Sequence, residues 1–215
     1  MESLEILVNS ATCYKNNSII FSDINISLKN SEIIIIMGPN GCGKTTLIKS
    51  LSGIQGLESG TIKLNNRNIC SLGSDYKDEI IYIGHGNSLN KDLTVIENIE
   101  YFSAFDSTIN INNEKNIKNS MKILDIEKYR NYKVSDLSEG NKKKLSLIRI
   151  LLTKKKIWFL DEPMSSLDDK SINKLIKIIV DHQKNNGLIF LATHYNFSEK
   201  INNCKLYIMK DAKLT

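Results

Sequence analysis

The chain has 215 residues, 41% hydrophobic and 25% charged, with a net charge of +5. That suits one substantial core with a smaller lobe, is too short for two full domains, and is too apolar for a disordered chain. Two prolines and 11 glycines exclude collagen-like and linker-like chains, and no apolar run nears the roughly 18 residues of a membrane span. The opening MESLEILVNS has no basic stretch followed by an apolar one, so no secretory signal is expected and the chain should stay where it is made. Cys13, Cys42, Cys70 and Cys204 are scattered, without a CxxC pair or a nearby histidine. This points to a reducing compartment and against zinc. Lys142–Lys144 and Lys154–Lys156 are the densest positive runs. They read as solvated faces, with contact to anionic lipid or a partner as the alternative. Aromatic residues do not interleave with them, which argues against nucleic acid as a partner.

β-Branched segments open the chain, at Glu5 to Cys13, Ile19 to Leu28 and Ile33 to Met37. The last is apolar without alternation, as in a strand covered on both faces. Further strands are predicted at Gly60 to Leu64 and Glu79 to Ile83. The middle is helical: Thr94 to Ala104, with Thr94 and Glu97 spaced as a capping box, then Asn113 to Leu124. A third helix is predicted from Lys142 to Leu152, with Leu145, Ile148, Leu151 and Leu152 on its apolar face. Strand and helix then alternate: Ile157 to Leu160, Asp169 to Gln183, Leu188 to Ala192, and a last strand from Lys205 to Met209. The fold class is α/β, one domain over 1–215 with its core at 1–86 and 151–215 and a helical subdomain at 87–150.

Gly38 to Thr45 fits G-x-x-x-x-G-K-[ST] in full, between a predicted buried strand and a helix. Glycines let Gly38-Pro39-Asn40-Gly41-Cys42-Gly43 curl so that successive N–H groups point at phosphate oxygens. The helix opened by Lys44, Thr45 and Thr46 turns its positive end to the same anion. Lys44 supplies a mobile charge for the β- and γ-phosphates, and Thr45 a hydroxyl for Mg²⁺. The second site is the apolar strand that ends in Asp161-Glu162-Pro163. Asp161 at the strand tip would hold Mg²⁺, and Glu162 would polarise a water in line with the γ-phosphate. Without the phosphate loop upstream, this pair could equally be an acidic turn.

Leu137-Ser138-Glu139-Gly140-Asn141, Ser166-Leu167-Asp168, and His194 after Ala192-Thr193 complete an ordered set. Over essentially its whole length the chain resembles the ATP-binding subunits of ABC transporters. The resemblance implies a P-loop NTPase fold with a mainly parallel core sheet, an antiparallel N-terminal part and a helical insert. It implies a homodimer packed head to tail, each ATP between one copy's phosphate loop and the other's signature. Ser138 and the Gly140 backbone would then donate to the γ-phosphate across the interface, Asp168 would link the two sites, and His194 would hold the water and Glu162. Tyr14 takes the position of the aromatic ring under the adenine, with a packing role as the alternative. His85 and His182 are given no direct catalytic role.

Within the family the chain is most similar to the ATPase subunits of cytochrome c maturation haem exporters. Tyr82-Ile83-Gly84-His85, Leu93-Thr94-Val95-Ile96-Glu97-Asn98 and Trp158 before Leu160-Asp161-Glu162-Pro163 carry this similarity. The implied role is a peripheral ATPase on the cytoplasmic face of the inner membrane, bound to separate integral membrane subunits of the haem-exporter type. Another ABC transporter subunit (for lipoprotein or metabolite), a non-transport ABC ATPase and a non-hydrolysing ATP-binding module are the alternatives. Two departures stand out. Gly86 occupies the family's usual glutamine position, for which His85 or Asn87 could substitute, and Glu139 replaces the signature's usual glycine, with an outward side chain expected.

Overall fold

The computed structural model describes residues 4–215. The first three residues, on which the expected absence of a secretory signal partly rests, lie outside the described residues. The chain begins with β1 (Glu5–Lys15) and β2 (Ser18–Lys29), an antiparallel pair. β3 (Ile33–Met37), α1 (Lys44–Leu51), β4 (Ser59–Leu64) and β5 (Arg67–Asn68) follow. Two short helices, α2 (Ile69–Leu72) and α3 (Ser74–Glu79), lead into β6 (Ile80–Ile83). The helical insert holds α4 (Val95–Ser103), α5 (Glu114–Ile123) and α6 (Glu139–Leu152). The chain ends with β7 (Ile157–Asp161), α7 (Asp169–Lys184), β8 (Leu188–Ala192), β9 (Cys204–Lys210) and β10 (Lys213–Leu214).

The strands form two sheets, a four-stranded antiparallel one in the order β2-β1-β4-β5 and a six-stranded one in the order β10-β9-β3-β8-β7-β6. From β9 to β6 every pairing in the second sheet is parallel. The unbroken apolar run of β3 follows from its place there. Ile33 and Ile35 join one buried cluster, while Ile34 and Ile36 join the cluster on the other face. The same division sends Trp158 and Leu160 to one face and Ile157 and Phe159 to the other.

The insert has no core of its own. Ile99, Phe102, Ile117, Met121, Leu145 and Ile148 share a cluster with Ile81, Ile83, Trp158 and Leu160 of the sheet. Each such side chain, fully buried, contributes about 1.5–3 kcal/mol. The predicted capping box is present at α4: Thr94 Oγ1 accepts from the Glu97 N–H, and Glu97 Oε2 accepts from the Thr94 N–H at 2.7 Å. Buried Asn98 secures the loop before it, accepting from the Asn90 N–H at 2.9 Å and donating to the Asn90 and Thr94 carbonyls.

Two expectations about α6 need correction. It starts at Glu139, earlier than Lys142, because Ser138 Oγ accepts from the Asn141 N–H and caps it there. It is also buried on more than one side, since Ser146, Leu147 and Ile150 are covered as well as Leu145 and Ile148, while Leu151 is only half-buried.

Register brings the chemistry to one edge. Asp161 lies beside Ala192, Ile36 beside Ala192, and Ile83 beside Leu160, so β3, β6, β7 and β8 all end in one row. The loops that follow them carry Gly38–Lys44, Gly84–His85, Glu162 and His194. Ligands of open parallel sheets bind at this C-terminal edge.

Candidate active site

Between β3 and α1 the chain makes the expected tight loop. Gly43, the residue before α1, sits at φ 107, and a Cβ there would come within 2.8 Å of Ile20 Cγ2 and of Met209 Cε. At Gly38 a Cβ would run into the Met209 carbonyl oxygen. Both positions require glycine, because β9 and β2 press on the loop from behind. In front of it is a cleft of about 430 Å³ lined by Lys15, Ile20, Asn40, Gly41, Gly43, Lys44, Thr45, Thr46, His85 and Glu162.

The side chains that would meet a triphosphate are bound to one another in this structure. Lys44 is buried, and its Nζ donates to the Gly38 carbonyl at 2.7 Å and the Pro39 carbonyl at 3.0 Å. It also lies 3.8 Å from Glu162 Oε1. Thr45 Oγ1 donates to Asp161 Oδ1 at 3.1 Å. Glu162 Oε2 is 2.9 Å from His194 Nδ1. Glu162 has φ 47, an uncommon conformation for a non-glycine residue. It is held there because its N–H donates to the Ala192 carbonyl at 2.8 Å and its own carbonyl accepts from Ser165 Oγ at 2.9 Å. Thr193, fully buried, donates its N–H to the Ile36 carbonyl at 3.0 Å and so fixes the base of the exposed His194.

Asp161 is fully buried, and its carboxyl pKa is raised, chiefly by that burial. Its Oδ2 has no hydrogen-bond partner. A buried, half-satisfied carboxylate beside a threonine hydroxyl is a hard oxygen donor set that fits Mg²⁺, with phosphate and water oxygens completing the shell. Among the described residues no group of three or more His, Cys, Asp or Glu could hold a metal ion by itself.

The other predicted residues are distributed as follows. Cys42 is half-buried, its Sγ close against Gly38. Tyr14 is 46% exposed and pairs with Ile19 across the hairpin, and the residues lining the cleft nearby are Lys15 and Ile20. Ser138 and Gly140 open α6 and do not line this chain's own cleft. Gly140 instead packs on the 166–168 loop, where a Cβ would meet the Ser166 carbonyl at 2.8 Å. Asp168 caps α7, its Oδ1 accepting from the Ser171 N–H at 2.8 Å, and the Ser171 hydroxyl, followed by that N–H, holds its pKa below the usual range. Glu139 is 69% exposed at its side chain and pairs with Lys142 at 2.9 Å, so it points outward in this chain.

Two further residues bear on the site: His85, expected as one of two possible substitutes for the glutamine, and Lys143, on which Asp161 and Glu162 act electrostatically. His85 lines the cleft, whereas Asn87 does not. Lys143, expected on a solvated face, is 2% exposed. A stripe of Lys143, Ser146, Leu147 and Ile150, spaced at helical intervals, was the signal in the sequence. His182 lies elsewhere, stacked on Trp158 with ring centroids 3.5 Å apart. That pair borders a larger groove of about 850 Å³, which contains none of the phosphate-loop residues.

A family model described as ABC transporter matches residues 21–165. The chain is 34% identical, over 91% of its length and 87% of the relative's, to a Reclinomonas americana protein called cytochrome c biogenesis ATP-binding export protein CcmA. Among solved structures, an ATP-binding subunit of an ABC transporter aligns over 97% of this chain and 87% of its own, with TM-score 0.84 and 20% identity. A dimeric ATP-binding cassette in a post-hydrolysis state with ADP and Pi aligns over 97% and 96%, with TM-score 0.82 and 20% identity. These last two likenesses concern the fold.

Proposed function

This chain belongs to the ABC transporter ATP-binding family, and from that premise we propose that it is the ATP-hydrolysing subunit of a cytochrome c maturation system that drives haem delivery. Hydrolysis is supported above all by the meeting of Lys44, Thr45, Asp161, Glu162 and His194 at one sheet edge. The haem-export reading is supported by the CcmA relative, which the chain matches over most of both lengths.

The backbone amides of Gly41 to Thr45 and the Lys44 ammonium bind and neutralise the β- and γ-phosphates. Thr45 and Asp161 would hold Mg²⁺, which when bound neutralises the charge that builds up between those phosphates. Glu162 accepts a hydrogen bond from the attacking water and aligns it, and His194 keeps the carboxylate turned toward it. His85 takes the place left by glycine at position 86, a reading favoured by its position in the cleft. Tyr14 stacks on the adenine.

Ser138 and the Gly140 amide complete the site from a second copy. Their absence from this chain's own cleft, with their place at the N-terminal end of the 14-residue α6, supports that reading. Asp168, on the loop that touches Gly140, would relay between the two sites. A groove of about 600 Å³ between core and insert carries exposed Ile54, Tyr101 and Phe105, the last 70% exposed. It is a suitable surface for a membrane subunit. Among the described residues no helix is long and apolar enough to cross a membrane. The likeness to the CcmA relative supports a peripheral place for the chain, on the cytoplasmic face, through such partners. Affinity purification from membranes tests the proposal. Haem-handling integral subunits should co-purify, and recovery of a lipoprotein or metabolite permease in their place would overturn it.

A further inference from the structure

Lys143 is a buried cation that the steps above do not use. It lies in the second turn of α6, between Lys142, which pairs with Glu139, and half-buried Lys144. Its side chain does not line the cleft, and its Nζ has no hydrogen-bond partner. Burying an ammonium without a partner is costly unless opposite charge lies close. The charges that act on Lys143 are those of Asp161 and Glu162. Burial brings its pKa down to about 8, and the two carboxylates pull against that fall. The influence is mutual, since Lys143 favours the charged form of Asp161, whose Oδ2 is the other buried atom left without a hydrogen bond at this site. Lys143 Nζ and Asp161 Oδ2 are thus two buried atoms of opposite charge type, each without a hydrogen bond and each acting electrostatically on the other. A packing position beside Ser146, Leu147 and Ile150 needs only a leucine or methionine.

We propose that Lys143 is a positioning residue: a fixed internal cation behind Asp161 and Glu162 that balances the pair before nucleotide binds and limits how strongly it attracts a divalent cation. The inference rests on the reading of Asp161 and Glu162 given above, and it predicts an effect opposite in sign to that of damaged packing. Without the lysine charge, the carboxylates should attract Mg²⁺ more strongly while being less well ordered for hydrolysis.

Two measurements test it. The first is thermal unfolding of the full chain in chelator, without nucleotide, for K143M, D161N and the double variant. Each single variant leaves one buried charge uncompensated, so the double should lose less melting temperature than the two singles summed. An additive result overturns the pairing. The second is the Mg²⁺ dependence of binding a fluorescent ATP analogue. K143M should lower the half-saturating Mg²⁺ concentration roughly three- to tenfold, and K143R should restore the wild-type value. An unchanged or raised midpoint in K143M overturns the inference. If the wild-type chain showed no Mg²⁺-dependent nucleotide binding, the reading of the site would fall, and the metal-free cycle would still decide the Lys143–Asp161 pairing.

Discussion

Replacing Glu162 by glutamine separates the chemistry at this site from its architecture. The glutamate backbone is fixed from both sides, by its own N–H on the Ala192 carbonyl and by Ser165 on its carbonyl. Glutamine has the same shape and no greater difficulty with φ 47. Its amide oxygen can still accept from His194, now 2.9 Å from Oε2, so the side chain should stay in place. What disappears is the negative charge that, on the proposed role, would polarise the water. General-base catalysis contributes typically about 10²–10⁴-fold, or roughly 2.7–5.5 kcal/mol of barrier. Nucleotide binding should survive. The closest partners of Lys44 are the Gly38 and Pro39 carbonyls, which the substitution leaves alone, and its carboxylate neighbour at 3.8 Å is removed. With one competing negative charge gone, ATP affinity should be unchanged or up to about tenfold tighter. Phosphate release from the assembled transporter, beside equilibrium binding of a fluorescent ATP analogue, measures both quantities. Turnover within tenfold of wild type, or loss of binding together with turnover, would refute the assignment of Glu162 as the residue that aligns the water.

His85→Ala should lower turnover in the assembled complex by about tenfold or more while Asn87→Ala has little effect, because only His85 lines the cleft; equal turnover of both variants and wild type would remove the substitution for glutamine at Gly86. Cys42, packed in the phosphate loop, should be alkylated more slowly when ATP is bound, and site-resolved mass spectrometry can follow it against exposed Cys70 as control; equal labelling with and without nucleotide contradicts its place in the loop. His182 has its pKa lowered from the ordinary 6.5 to about 4, mainly by burial. Across that interval the unfolded chain takes up a proton that the folded chain does not, so the contribution is full above pH 6.5 and is lost as pH falls toward 4. Chemical denaturation should show His182→Phe, which keeps a flat ring against Trp158, losing up to about 3 kcal/mol less than wild type over this range; parallel curves would refute the shift.

What could be read from the sequence depended on how local each constraint is. The phosphate loop is legible because its geometry comes from consecutive residues, and the strand before it because its isoleucines are apolar on both faces. The α4 capping box is equally local, a threonine and a glutamate one turn apart. The start of α6 is less legible, because Ser138 fits phosphate recognition equally well and its second use as a helix cap leaves no separate mark in the residues. Lys143 is concealed for a related reason. Three consecutive lysines look like a solvated face, and only the packing of α6 on several sides turns the middle one inward. The position of His85 depends on the register of β6 against β7, a long-range pairing that leaves no mark in the residues themselves.

The bonds within the cleft also suggest why one copy would be insufficient. Lys44, Thr45, Asp161, Glu162 and His194 already have partners, apart from Asp161 Oδ2, and an incoming triphosphate would exchange those partners for its own oxygens. Such exchanges have small net free energy, commonly about 0.5–1.5 kcal/mol per neutral hydrogen bond and more where a charge takes part. Ser138 is in a different position. As a cap its Oγ accepts from the Asn141 N–H, which fixes the oxygen and leaves its hydrogen free to donate. At the same helix end the amides after Ser138 point along the axis of α6 with the helix dipole behind them. Donors of this kind gain a new anion and surrender little in return. A γ-phosphate held between two chains would meet self-paired groups on one side and poised donors on the other. Closure of the pair would then draw mostly on the signature, and cleavage of that phosphate would remove the attraction that held the two copies together.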